Sequence, residues 1–226
     1  MSTELDFALE LADAADAISL PRFGSSDLRV ERKPDLTPVT DADRAVEQAL
    51  RAMAGDEAFF GEEGGGAEGG VRWIVDPIDG TKNFVRGIPV WATLIALERD
   101  AELVLGVVSA PALGRRWWAA RGEGAYCNGG RISVSAVSQL ADAAVSAALA
   151  SDLAALENVA WHARAFGDFW QHVLVAEGAL DLAVDYPLQL WDYAALVPIV
   201  EEAGGRTGFT AAGKFFSANG ALPPPG

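Results

Sequence analysis

The amino-acid sequence predicts a mixed α/β protein, and three patterns carry the prediction. Apolar residues recur at helical spacing near the N-terminus, three strand-like runs follow one another across residues 91–120, and short strands alternate with alanine-rich helices beyond Ser133. Residues 4–20 set Leu5, Leu9, Ala12, Ala15 and Ile18 near one helical face, with Pro21 and Gly24 to end it. The basic loop RVERKPDLTPVT leads to Thr40, and Asp41 and Asp43 after it mark a capped helix start running through Val46, Leu50 and Met53. AFFGEEGGGAEGGVRWIVD reads as a strand, a glycine-rich segment (mobile flap or ordinary loop) and a second strand. WATLIALE, ELVLGVVSAP and RRWWAARG make a meander, so their sheet is antiparallel or mixed. Within it, Trp117 and Trp118 face opposite ways, one toward core and one toward an interface. The helix in WDYAALVPIVEEAGG spaces Trp191, Ala194, Ala195, Pro198 and Ile199 along one side and stops at Gly204 and Gly205. Two halves, a helix-and-meander half over 1–134 and an α/β half over 135–226, are expected to form one unit.

Composition narrows the function classes. The 226 residues are 50% hydrophobic, enough for a full-sized core. The 32 acids against 17 bases give a formal charge of -15, unlike the Lys- and Arg-rich surfaces that grip phosphate backbones, so no nucleic-acid partner is expected. No apolar run reaches the roughly 20 residues needed to cross a bilayer, and no membrane association is expected either. The single Cys127 excludes an intrachain disulfide, the polar start MSTELDFALE lacks a secretory pattern, and both point to the cytoplasm.

The chemistry concentrates in WIVDPIDGTKNF, residues 73–84. Taken alone, Asp79-Gly80 reads as a hairpin turn. That reading explains neither Pro77 nor Asp76, which ends an apolar strand where an unpaired carboxylate is costly to bury. Lys82 is one candidate counterion. Yet Glu62 and Glu63 also follow an apolar strand end, and Asp192 follows LQLW, so one lysine faces too many carboxylates. Such an excess points to metal. His162 and His172 lack the spacing of a zinc site and read as surface or capping residues, whereas an all-oxygen donor set suits Mg2+. Gly80 and Thr81 stand where a helical turn starts, so their backbone N–H groups could receive a phosphate oxygen beside the cations.

Together, GEE (61–63), WIVDPIDGTKNFVRGIP (73–89) and WDYAALVPIVEEAGG (191–205) resemble the inositol monophosphatase family of lithium-sensitive, Mg2+-dependent phosphatases. Within it, VWATLIALE, GVVSAPALGRRWWAARGEGAY and ARAFGDFWQHVLVAEGALDLAV look most like the bacterial histidinol-phosphate phosphatases. The resemblance runs from the first helix to about Leu222, where the family continues into a closing helix and this sequence turns to prolines. It implies a layered α-β-α-β-α sandwich, commonly a homodimer, acting on a small-molecule phosphomonoester. By this resemblance, Glu62, Asp76 and the Ile78 carbonyl would hold a first Mg2+, and Asp76, Asp79 and Asp192 a second. A third would lean on Glu62 and waters. Thr81 and Glu62 would orient and deprotonate the attacking water, Asp41 would pair with the Thr81 hydroxyl, and Glu63 would support the ligands from behind. The implied reaction is in-line attack of water on the phosphorus, with cations stabilising the attacking and leaving oxygens.

Asp168 stands where inositol phosphatases carry small neutral residues, and Asp185 where the family places an acid seven residues before its last metal aspartate. With Asp79 they would line the leaving-group pocket and favour a cationic alcohol. One charge pair at ~4 Å and an effective dielectric of about 20 contributes ~4 kcal/mol before desolvation. Asp168 reads equally as a helix N-cap, and Asp185 as a strand-end turn. Lys33 could assist phosphate capture or be a solvated surface lysine. Alongside histidinol phosphate stand inositol monophosphate, phosphoadenosine phosphate, and a noncatalytic metal-dependent binding protein that keeps the fold.

Overall fold

The computed structural model of the chain describes residues 3–34, 36–66, 70–223 and 225. Helix α1 (Thr3–Arg22) buries Leu5, Ala8, Leu11, Ala12, Ala15 and Ser19, a stripe that passes beside Leu9 and Ile18 and leaves them half-buried. Pro21 falls inside its last turn, not after it. A hairpin of β1 (Val30–Arg32) and β2 (Pro38–Thr40) leads into α2 (Asp41–Ala54). Thr40 caps that helix: its hydroxyl accepts from the Ala42 and Asp43 N–H groups, and the Asp43 carboxylate accepts from the Thr40 N–H at 2.8 Å. Val46 and Leu50 are buried as their spacing requires, while Met53 is exposed.

The first sheet comprises β3 (Ala58–Gly61), β4 (Gly65–Gly66), β5 (Val71–Asp79), β6 (Ala92–Arg99), β7 (Glu102–Ala110), β8 (Arg115–Ala120), β9 (Gly124–Cys127) and β10 (Gly130–Arg131). Its order is β10-β9-β8-β7-β6-β5-β3-β4, antiparallel except where β3 runs parallel to β5. A short helix, α3 (Thr81–Arg86), joins β5 to β6. Residues 67–69 of the glycine-rich segment lie outside the described residues, and with them the choice between flap and loop.

The second sheet holds β11 (Ala144–Ala147), β12 (His162–Arg164), β13 (Leu182–Val184), β14 (Arg206–Phe209) and β15 (Phe215–Ala218), in the order β12-β11-β13-β15-β14. Threaded between them are α4 (Ala150–Glu157), α5 (Asp168–Ala176), α6 (Leu190–Tyr193) and α7 (Leu196–Glu202). Helices α1 and α2 cover one face of the large sheet, α5 and α7 fill the space between the two sheets, and α4 closes the outer face of the small one. The layers therefore alternate helix, sheet, helix, sheet, helix. Burial of side chains from several elements in each layer is what holds this order. Trp117 lies in the central layer against Phe169 and Trp170, and Trp118 emerges on the opposite face stacked on Tyr126, so both make contacts within the chain.

The WDYAALVPIVEEAGG segment departs from the single expected helix and forms α6 and α7. The break puts Pro198 in the first turn of α7, where an N–H would have no intrahelical partner in any case. At the break, the Ala195 carbonyl presses onto Gly106 of β7; a Cβ there would stand 2.1 Å from the oxygen. No described helix is long and apolar enough to cross a membrane.

Candidate active site

The site is built on an interruption of β5. Its pairing with β6 shifts register between Asp76 and Asp79, and Pro77, without an N–H to give to the ladder, lies in the shift. The Pro77 carbonyl is satisfied instead by the Thr93 hydroxyl at 2.8 Å. In a regular strand residues 76 and 79 would face opposite sides; here both line one cleft. Asp192, in the first turn of α6 and fixed by the Gln189 N–H at 2.7 Å, joins them. Carboxylate oxygens of Asp76, Asp79 and Asp192 lie within 4.8 Å of one another. Burial, first of all, and then mutual repulsion among these acids and Glu62 push Asp76 well above the usual carboxylate range. Burial and the charges of Asp168 and Asp192 do the same to Asp79, against the opposing Phe169 N–H. Asp192 is pushed up to about 7, mainly by burial. An all-oxygen set of crowded, desolvated anions is matched to a hard divalent cation.

Glu62 follows β3, its N–H donating to the Val75 carbonyl at 3.2 Å. Behind it the buried Glu47 carboxylate accepts from the Glu63 and Gly64 N–H groups at 2.7 and 2.8 Å, which fixes the turn. Lys33 is no solvated lysine: its ammonium reaches into the cleft and contacts Glu62 and Glu63, each at 2.6 Å. Glu63 thus stands behind Glu62, tied to the same cation.

Gly80 takes a left-handed φ of 81°, and a Cβ there would crowd the Val90 carbonyl at 3.1 Å. This turn aims the Thr81 hydroxyl at the Ile78 carbonyl, 2.9 Å away, and at the Asp43 carboxylate, 3.4 Å away. The expected partner, Asp41, is corrected here. As the first residue of α2, Asp41 points outward and accepts from Arg22 at 2.8 Å, whereas Asp43, at the third position, turns back through the capping box toward Thr81. Asp43 is pushed up to about 6 by burial, against the hydrogen bonds from Thr40.

The cleft, of about 400 Å³, opens inward to a recess of about 40 Å³ lined by Asp79, Asp168, His172, Asp185, Tyr186 and Asp192, among others. Asp168 does not cap α5: it is the first helical residue, with a left-handed φ of 49°, and Gly167 occupies the cap position without a side-chain bond. The Phe169 N–H is received instead by Asp79 at 2.7 Å, so an acid of the first sheet caps a helix of the second half. Freed from that role, Asp168 accepts from Asn83 at 3.1 Å. Asp185 is buried, its carboxylate accepting from the Gln171 amide at 2.7 Å and the Tyr186 N–H at 2.9 Å, and it faces the inner recess, not the outer cleft. His172 is the second correction. It is fully buried beside Ser217 and Asp185, neither a surface nor a capping residue, because α5 is covered on both sides by sheets. His162 sits on edge strand β12 against Trp161.

Against protein-family models, residues 1–222 match that of the inositol monophosphatase family. The chain belongs to that family. Among curated relatives it is 52% identical to the histidinol-phosphatase of Mycobacterium tuberculosis, over 90% of this chain and 86% of the relative. It is 47% identical to that of Streptomyces coelicolor, over 89% and 85%. Among solved structures, the IMPase of Thermotoga maritima superposes with a TM-score of 0.89 at 32% identity, covering 97% of this chain and 93% of that one.

Sequence reasoning about this family member missed Glu47, Gln171 and Tyr186, and the signal for the first was present. A glutamate on the apolar side of α2, one turn after Asp43, needs buried donors, and the N–H groups of a glycine-rich turn are the obvious supply. The crowded acids also fix a pH dependence. A carboxyl raised in the folded state holds its proton there more readily than in the unfolded chain. Its stabilising share is complete below the ordinary aspartate value of 3.8 and is lost as pH rises through about 6 to 7. With EDTA, the melting temperature at pH 8 is therefore expected to fall further below the Mg2+ value than at pH 5. Equal gaps at the two pH values, measured by differential scanning fluorimetry, would contradict this account of the cluster.

Proposed function

We propose that this phosphoric monoester hydrolase is a histidinol-phosphatase, releasing phosphate from L-histidinol phosphate with Mg2+ as its cation. The carrying observation is the pair Asp168 and Asp185 in the recess beside the metal-type cluster. No described Lys or Arg forms an ion pair with either; Lys82 acts on Asp168 through space, but the recess itself is lined by the carboxylates of Asp79, Asp168, Asp185 and Asp192 and by no Lys or Arg. A neutral polyol gains nothing from that field, whereas an ammonium group of the leaving alcohol does. The 52% identity to a histidinol-phosphatase supports the same reading.

In this reading Asp76, Asp79, Asp192 and Glu62, with the Ile78 carbonyl, hold two or three Mg2+ ions, which supply positive charge to the phosphoryl and leaving-group oxygens. Glu62 and Thr81 orient the attacking water and take its proton. The N–H groups of Gly80 and Thr81 meet a phosphate oxygen. Lys33, on the hairpin loop, adds a cation at the mouth of the cleft. Asp168 and Asp185 hold the ammonium side of the leaving group. Homodimeric assembly, lithium sensitivity and a cytoplasmic setting belong to the same proposal by family resemblance, and sedimentation equilibrium checks the first of them.

The test is phosphate release with Mg2+ from L-histidinol phosphate, inositol 1-phosphate and phosphoadenosine phosphate, with EDTA controls. A kcat/KM for histidinol phosphate at least ~10-fold above the others is expected, the equivalent of ~1.4 kcal/mol. A preference for inositol 1-phosphate would transfer the assignment to that substrate.

A further inference from the structure

We propose that Gln171 is the positioning residue that sets the preference for a cationic leaving group, by holding Asp185 as an aimed, uncancelled anion at the inner recess. The inference rests on the histidinol-phosphatase reading and deepens it.

Gln171 lies on α5, fully buried, and takes no part in the cleft itself. Its amide nitrogen donates to Asp185 at 2.7 Å, and its amide oxygen accepts from the Ser146 hydroxyl at 2.7 Å. Ser146, on β11, in turn accepts from the Phe166 N–H at 3.2 Å. The chain of donors has one direction. The Phe166 N–H is committed to the serine oxygen, the serine proton to the amide oxygen, and the amide N–H to the carboxylate. That fixes the amide so that Asp185 always meets a donor, and that donor carries no formal charge. An arginine or lysine at position 171 would hold Asp185 equally well and cancel the field that an ammonium ligand uses.

The same chain starts on the loop that carries the second acid. Phe166 is two residues before Asp168, whose left-handed φ of 49° a non-glycine residue keeps only when its neighbours are held. Ser146 and Gln171 therefore tie the two acids of the recess to one scaffold. His172, with Nδ1 at 2.9 Å from Ser217 and Nε2 at 3.4 Å from Asp185, closes the other side. The recess of about 40 Å³ accommodates a group the size of a water molecule or an ammonium.

The test compares the wild type with Gln171→Met and Ser146→Ala on L-histidinol phosphate and inositol 1-phosphate, with inhibition by L-histidinol. Loss of a charge-assisted contact predicts that Gln171→Met lowers kcat/KM for histidinol phosphate by about 10- to 100-fold, through KM. The Ki for L-histidinol should rise in parallel, and kcat/KM for inositol 1-phosphate should stay near its wild-type value. Ser146→Ala should move the ratio of the two substrates the same way by a smaller factor, and decides the matter if Gln171→Met does not fold. Equal losses on both substrates, or a loss carried by kcat, would reduce Gln171 to a packing residue and overturn the inference. A wild type without preference for histidinol phosphate would overturn the underlying reading and this one with it. A preference that neither variant shifts overturns this one alone.

Discussion

Replacing Asp79 by Asn is expected to lower kcat by ~10^3-fold or more while leaving the metal-free protein at least as stable as before. The two effects have one origin. Asp79 is crowded by Asp168 and Asp192 and desolvated, so its charge is unfavourable to the empty fold and useful only toward a cation. Asn keeps the size and an oxygen to accept the Phe169 N–H, so the cap on α5 survives. Turnover with Mg2+ and melting with EDTA should therefore move in opposite directions. Activity within ~10-fold of wild type would remove Asp79 from the catalytic cluster.

Thr81→Ala should lower kcat by ~10^2- to 10^4-fold with KM little changed, the range for loss of a group that handles a proton in the transition state. The same logic separates two neighbours that the sequence does not. Asp43→Asn should share the kcat defect, because Asp43 faces the Thr81 hydroxyl, while the Asn oxygen can still accept from the Thr40 N–H and keep the capping box. Asp41→Asn should leave kcat near wild type, since its carboxylate faces Arg22. A reversed pattern would restore Asp41 as the threonine's partner.

Much of the fold was legible because its signals are local. Consecutive strand-like runs marked the meander, and Thr40 with Asp43 marked the start of α2. The acids of the cleft were legible for a related reason: a carboxylate ending an apolar strand is a local contradiction that demands a partner. What escaped depends on distance. Whether Asp41 or Asp43 meets Thr81 is decided by helix phase relative to a turn far along the chain. Neither Gln171 nor His172 looks unusual within α5, because their partners Ser146, Asp185 and Ser217 lie on three different stretches of the second sheet and its borders. Asp168 looked like a cap because it follows a glycine ahead of an apolar helix; the acid that took the cap came from the other sheet.

That exchanged cap has a temporal side. Asp76 and Asp79 leave the ribosome well before α5 gives Asp79 its backbone donor and before α6 brings Asp192 alongside. A half-made chain thus carries two of the three crowded acids without the third. The three-acid cluster is complete only when nearly the whole polypeptide has emerged and closed, so the cleft is among the last features of the fold to be finished.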